Sequence, residues 1–380
     1  GSPVDGLSIS SFATTNTAIT GTNTVSGTNT TATLATNGDQ YAVGEYDNSN
    51  NTWTNYTTGT VGGAGNFDIG KGYQMGSVSS TLSRLYFTGT IATTDQTQAI
   101  IDNDAANGGA GKRWSLIANP FPSYLNANTN AHATNNFLTV NEAKLHDSYE
   151  AVYGYDADGS GYTVYNQSTA ATYIAPGQGF FVASASTSSD DVSFTEAMQT
   201  TTGTDDFAIG DIMQDYELIL KLNEIDTEID RTRFYFKDGL NTHLDPGYDA
   251  GHFDQQAAFM SRLLEDDEGV GLVINAMSIE NIDDAIIPIV INRAAGSEFR
   301  ISIDTFDIFP GINVYFEDNQ NGTMTLLNDE DFLLTPEDNL TGAGRFFVHL
   351  TYDTLSSNEP TETSMLNAYK EIDASYITIE

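Results

Sequence analysis

Short runs of β-branched and aromatic residues, closed off by Gly, Asn and Asp clusters, recur along the chain and predict strands. The clearest are Leu85-Tyr-Phe-Thr88, Glu217-Leu-Ile-Leu-Lys-Leu222, Arg233-Phe-Tyr-Phe236, Gly271-Leu-Val-Ile-Asn275, Phe299-Arg-Ile-Ser-Ile303 and Arg345-Phe-Phe-Val-His-Leu350. Helical periodicity is scarce. The best helix candidate is Asp254-Gln-Gln-Ala-Ala-Phe-Met-Ser-Arg-Leu-Leu264, with Asp254 as its N-cap. Many short strands at regular spacing predict an all-β protein built of β-sandwiches.

The pattern also repeats. Tyr41-Ala-Val-Gly-Glu-Tyr-Asp47 aligns with Glu150-Ala-Val-Tyr-Gly-Tyr-Asp156, and the same register carries Trp53-Thr-Asn-Tyr56 onto Tyr162-Thr-Val-Tyr165. Gly70-Lys-Gly-Tyr73 then matches Gly177-Gln-Gly-Phe180, and Leu85-Tyr-Phe-Thr88 matches Val192-Ser-Phe-Thr195. Four matches in order, about 108 residues apart, predict an internally duplicated β-domain. Each hairpin would set an aromatic pair across its strands, Tyr46 with Trp53 and Tyr155 with Tyr162. The Gly-x-Gly would admit a close backbone approach.

Composition divides the chain. Residues 1–200 are rich in Thr, Asn, Ser, Ala and Gly and carry a net charge of −11; residues 201–380 carry −27. The change predicts a boundary near residues 198–212. The resulting organisation is a duplicated β-domain over 3–198, with units of about 3–108 and 109–198. A linker over 199–211, an immunoglobulin-like β-sandwich over 212–352 and a second linker over 353–366 follow. Gly1-Ser2 reads as a cloning remnant.

The total of 52 acidic against 14 basic residues, net −38 in 380, argues against a nucleic-acid partner and against anionic membrane surfaces. No apolar run is long enough to insert into a bilayer as a helix. The absence of cysteine removes disulfides and thiolate chemistry.

Several motifs approach a known chemistry and miss it. Gly65-Asn-Phe-Asp-Ile-Gly70-Lys71 nearly spells a phosphate loop, but Gly72 stands where Ser or Thr must bind magnesium. Asp156, Asp158 and Ser160 alternate like the first half of a calcium loop, yet Gln167 replaces the closing Glu. They are the metal candidates, with Ca2+ the only cofactor suggested; an Asx turn is the competing reading. Asp47-Asn-Ser49-Asn-Asn51 is the corresponding segment of the first copy. Asp245-Pro-Gly-Tyr-Asp249 and Glu265-Asp-Asp-Glu268 read as solvated loops. The five histidines are scattered, and no nucleophile-and-base motif occurs. No catalytic residue is therefore assigned, although a carboxylate pair of a glycoside hydrolase stays open. Trp53, Tyr56, Tyr162 and Tyr165 are candidates for stacking on sugar rings, since their flat faces carry a polar handle; cross-strand packing is the alternative.

Two segments resemble a known family. Lys112-Arg-Trp-Ser-Leu-Ile-Ala-Asn-Pro-Phe-Pro-Ser123 is similar to the "GWNLIGNPYPS" stretch of large secreted surface proteins of Bacteroidetes, with Ala118 for Gly and Phe121 for Tyr. Ile174-Ala-Pro-Gly-Gln-Gly-Phe-Phe-Val182 is similar to their "IAPGQGFFV" stretch. Residues 367–380 resemble the start of the C-terminal sorting domain of type IX secretion cargo, and Asp353-Thr-Leu355 resembles an O-glycosylation site of that phylum. The resemblance implies an extracellular or cell-surface location and contact with the type IX machinery. The expected function is a non-catalytic module in adhesion, spacing or presentation for export, with polysaccharide or another surface protein as partner. A carbohydrate-binding module and a glycoside hydrolase are the alternatives.

Overall fold

A computed structural model describes residues 1–17, 34–78, 85–104, 112–155, 161–203 and 216–352, together with the backbone pairing of 368–369 with 378–379. The Asp156–Ser160 candidates, most of both linkers, Asp353-Thr-Leu355 and most of the sorting-domain segment lie outside the described residues. The described chain is nearly all β, as the strand pattern predicts. It divides into two units, one of residues 1–146 and 151–211, the other of 147–150 and 212–380.

The first unit contains strands β1 (Val4–Asp5), β2 (Thr36–Asn37), β3 (Gln40–Asp47), β4 (Thr52–Thr57), β5 (Gln74–Met75), β6 (Thr90–Ile91), β7 (Gln96–Ile100) and β8 (Trp114–Ala118). Then come β9 (Tyr124–Asn126), β10 (Val152–Tyr155), β11 (Tyr162–Tyr165), β12 (Tyr173–Ile174), β13 (Gly179–Ala183), β14 (Asp190–Phe194) and β15 (Gln199–Thr200). Two short helices, α1 (Ile9–Asn16) and α2 (Phe137–Asn141), start where Ser8 and Asn136 accept the amides of Ser11 and Thr139. Gln199 and Thr200, expected as linker, pair with β9. Gly1 and Ser2, read as a cloning remnant, are buried.

The matched segments share local geometry. In the hairpin β3–β4, Tyr46 faces Trp53; in β10–β11, Tyr155 faces Tyr162. A third strand then pairs antiparallel with the first strand of each hairpin. Gly44 faces Gln74 and Tyr153 faces Phe181, positions that the sequence match equates. The preceding turns also agree: Lys71 N donates to Asp68 O and Gln178 N to Ala175 O. Each turn has a left-handed glycine third, Gly70 (φ 80°) or Gly177 (φ 69°), as a type II turn requires. Strand β8 is bonded on both edges. Its residues pair with β13 on one side, and on the other Gly72 N donates to Leu116 O while Ala118 N donates to Gly70 O.

The fourth match differs. Val192-Ser-Phe-Thr195 lies largely in β14, but Leu85–Thr88 forms no strand. There the neighbour of Tyr86 is the side chain of Asn16, not another strand.

The second unit has strands β16 (Tyr216–Glu224), β17 (Thr227–Phe236), β18 (Ala250–Gly251), β19 (Phe259–Ser261), β20 (Leu272–Met277) and β21 (Ala285–Ile291). They continue as β22 (Phe299–Asp307), β23 (Asn313–Asp318), β24 (Thr323–Leu326), β25 (Phe332–Leu334) and β26 (Phe346–Thr351). All eleven join one sheet, ordered β24-β23-β26-β21-β19-β20-β17-β16-β22-β25 with β18 beside β20. The sheet curls around a single core. Leu218, Leu220 and Leu222 enter it from β16, Ile287, Ile289 and Ile291 from β21, and Val314 and Phe316 from β23, at the strand period of two. Phe332 of β25, at one end of the order, lies 4.7 Å by ring centroids from Phe316 of β23, next to the other end. The expected sandwich is thus realised as one nearly closed sheet.

The helix expected over 254–264 is absent. Phe259–Ser261 pairs with β20 and β21 instead, and Asp254 Oδ1 accepts Gln256 N in a turn. Sheet pairing on both edges outweighs a modest local helical preference.

Candidate functional site

In β13 of the first unit, successive residues point to opposite faces. Phe180 and Val182 enter the core that Ile117, Phe137 and Val152 share. Phe181 points the other way, and two aromatic pairs converge on it. Tyr46 lies 5.1 Å from its ring centroid, Trp53 5.9 Å and Tyr162 5.8 Å, all close to perpendicular. Tyr46 and Trp53 are 5.1 Å apart, and Tyr155 and Tyr162 are 5.5 Å apart. The result is a continuous ledge of five rings. Phe181 is its buried hub; Trp53 at 43% and Tyr155 at 63% exposure are its open ends.

Of the four stacking candidates, Trp53 and the half-buried Tyr162 belong to this ledge. Tyr56 and Tyr165 do not: both are buried, Tyr165 within the Ile117 core. Strand alternation explains the split, because Tyr56 lies on the face of β4 opposite Trp53 once the Asn55 position is counted. Sequence reasoning missed Phe181 as the hub and Tyr155 as the most exposed ring. The signal was present in Gly179-Phe-Phe-Val182, where adjacent aromatics must serve opposite faces.

Burial shifts the phenols upward. It raises Tyr46 above the ordinary tyrosine range, helped by the nearby Tyr162, Asp104 and Asp47, and pushes Tyr162 up to about 12. The Tyr46 hydroxyl donates to Asn51 Oδ1 at 2.9 Å.

Beside Tyr46 opens a pocket of about 530 Å³ lined by Glu45, Asp47, Asn48, Thr54, Lys71 and Asn103 among others. Glu45 accepts from Lys71 Nζ at 2.7 Å and from the Tyr56 hydroxyl. Asp47 accepts the amide and hydroxyl of Ser49 and the side-chain amide of Asn50. The Ser49 and Asn50 bonds hold its carboxyl below the usual range. That direction is opposite to what a general acid needs. The oxygens of Asp47 thus build a turn, which is the Asx reading of this segment. Among the described residues no cluster of acidic or histidine side chains is arranged to hold a metal ion.

The fold and this ledge define an all-β protein with an aromatic cluster exposed at Trp53 and Tyr155 and a polar pocket near it. The chain belongs to the family described as Domain of unknown function (DUF8693), whose model matches residues 6–350. No curated protein and no solved structure matches it.

Proposed function

We propose that this chain is a non-catalytic, glycan-binding module of an exported bacterial surface protein. The ledge of Trp53, Tyr46, Phe181, Tyr162 and Tyr155 carries this reading. Its two exposed rings, Trp53 and Tyr155, each pair a flat apolar face with a polar handle, which suits the apolar faces and hydroxyl rims of sugars. Location at the cell surface and passage through the type IX machinery rest on the resemblance of the 112–123, 174–182 and 367–380 segments. Adhesion to glycan, with the second unit as a rigid spacer, joins the two lines of reasoning.

The same reading takes residues 3–198 as two copies of one β-unit. The equivalent hairpin pairs, glycine turns and third-strand registers support it, and the ledge is then formed where the aromatic pairs of both copies meet.

The test is a polysaccharide and glycan-array screen with the purified chain, run with calcium and with chelator. Micromolar binding to a polysaccharide, reduced at least tenfold by Trp53→Ala and by Tyr155→Ala, is the expected result. Binding that survives both substitutions would remove the ledge from the function. Chelator sensitivity of the binding would support Asp156, Asp158 and Ser160 as calcium ligands.

A further inference from the structure

The pocket beside Tyr46 has features the ledge alone does not explain. Its acceptors are fixed before any ligand arrives. Lys71 and Tyr56 orient Glu45, while Ser49 and Asn50 orient Asp47. Lys71 is itself engaged, at 2.7 Å from Glu45 and 3.8 Å from Asp68, with its ammonium 5.3 Å from the Tyr73 ring centroid. A negatively charged ligand would find no free cation there, and it would approach a chain of net charge −38. A ligand rich in hydroxyl donors would find oriented carboxylate oxygens, the Thr54 hydroxyl and the Asn103 amide around a volume able to hold one or two sugar rings.

We infer that the Glu45–Asp47–Lys71 pocket is a subsite for an uncharged sugar ring, so that the glycan this unit binds is a neutral polysaccharide. The inference rests on the ledge reading above. The carboxylates of Glu45 and Asp47 accept sugar hydroxyls at the edge of the β3–β4 hairpin, on the face opposite the Tyr46–Trp53 pair. Because no net charge is neutralised on binding, affinity is insensitive to salt.

The experiment compares soluble neutral polysaccharides (a mixed-linkage glucan, a xylan and a galactomannan) with alginate and with chitosan oligomers. Wild type, Trp53→Ala, Glu45→Gln and Asp47→Asn are measured at two salt concentrations, and the folding of each variant is checked by thermal melting. Asp47 sits at an exposed turn and serves as the second probe if Glu45→Gln fails to fold. The expected result is binding to at least one neutral polysaccharide, unchanged by salt, weakened about tenfold in Glu45→Gln and Asp47→Asn. Wild-type affinity in the folded pocket variants, alongside loss in Trp53→Ala, would overturn the subsite and leave the ledge standing. Tighter binding to alginate or chitosan than to every neutral polymer would overturn the choice of an uncharged ring. Absence of binding to every polymer would overturn the ledge reading and the subsite together.

Discussion

Asn16 and Asn141 make the same three hydrogen bonds at the ends of two different helices. Each side-chain amide donates to the carbonyl four residues back, Phe12 O at 3.0 Å and Phe137 O at 2.9 Å. Each also grips one distant residue at both backbone groups. Asn16 donates to Tyr86 O and accepts from Tyr86 N; Asn141 does so with Ser193. A carboxamide presents one donor edge and one acceptor edge, so it pairs with a backbone as a neighbouring strand would. The sequence match had already equated Tyr86 with Ser193. Phe12 and Phe137, each four residues before its asparagine, pack against the equated Phe87 and Phe194 at 4.9 and 5.4 Å.

Removing either clamp leaves two backbone groups of the gripped residue without their partner. Asn16→Ala and Asn141→Ala are each expected to cost about 2 kcal/mol. The clamps share no partner, so the double variant should show the sum. Urea unfolding of the two single variants and the double variant checks this. A change within error of zero at either site would show that the clamp is replaced by water.

The Gly-x-Gly segments, read alike from the sequence, make different demands. A Cβ on Gly72 would fall 2.4 Å from Leu116 Cγ and 2.8 Å from Ile117 O, against strand β8. A Cβ on Gly179 would meet its nearest atom, Ile117 O, at an ordinary 3.7 Å. Gly72→Ala is therefore expected to destabilise by about 2 kcal/mol through overpacking. Gly179→Ala should change stability by less than about 0.5 kcal/mol. Thermal melting of the two variants side by side decides; equal effects would refute the steric account.

The hairpin of β16 and β17 turns through only Ile225 and Asp226, because Glu224 faces Thr227. Ile225 adopts φ 57° and is 82% exposed. A β-branched residue gains nothing by packing there and bears the left-handed penalty of about 1 kcal/mol. Ile225→Asn, which tolerates that backbone, is expected to stabilise by about that amount and to raise the melting temperature. A lowered melting temperature would mean that Ile225 makes a contact worth more than its strain.

Strand positions were legible because alternation is written in each segment. Leu218, Leu220 and Leu222 point into the core, as a period of two requires. The aromatic pairing of Tyr46 with Trp53 was also legible, since a hairpin length fixes its register. What escaped was information held in three dimensions. Phe181 becomes a hub only when two hairpins distant in sequence reach it. Helices α1 and α2 are too short to display a period, and their asparagines reveal a role only beside Tyr86 and Ser193. The 254–264 segment looked helical because its partners β20 and β21 lie further along the chain. Asp249 read as part of a solvated loop, yet it is fully buried.

That burial gives a pH dependence. Asp249 accepts Asp245 N and Ala276 N, each at 2.7 Å. Loss of water nevertheless dominates, and with the nearby Asp245 charge it raises the carboxyl from 3.8 to about 7. The native state thus holds a proton that the unfolded chain releases near its ordinary value. Between pH 4 and 7 the folded chain binds more protons, so this residue's contribution is full at the acid end and is lost as pH rises through 7. Asp249→Asn mimics the protonated form and removes the titration. Urea unfolding across pH 4–9 should therefore show wild type losing more stability with rising pH than Asp249→Asn, with the two profiles parallel above pH 8. The many other carboxylates contribute equally to both proteins, so profiles that run parallel throughout would show that Asp249 is ionised in the fold at all these pH values.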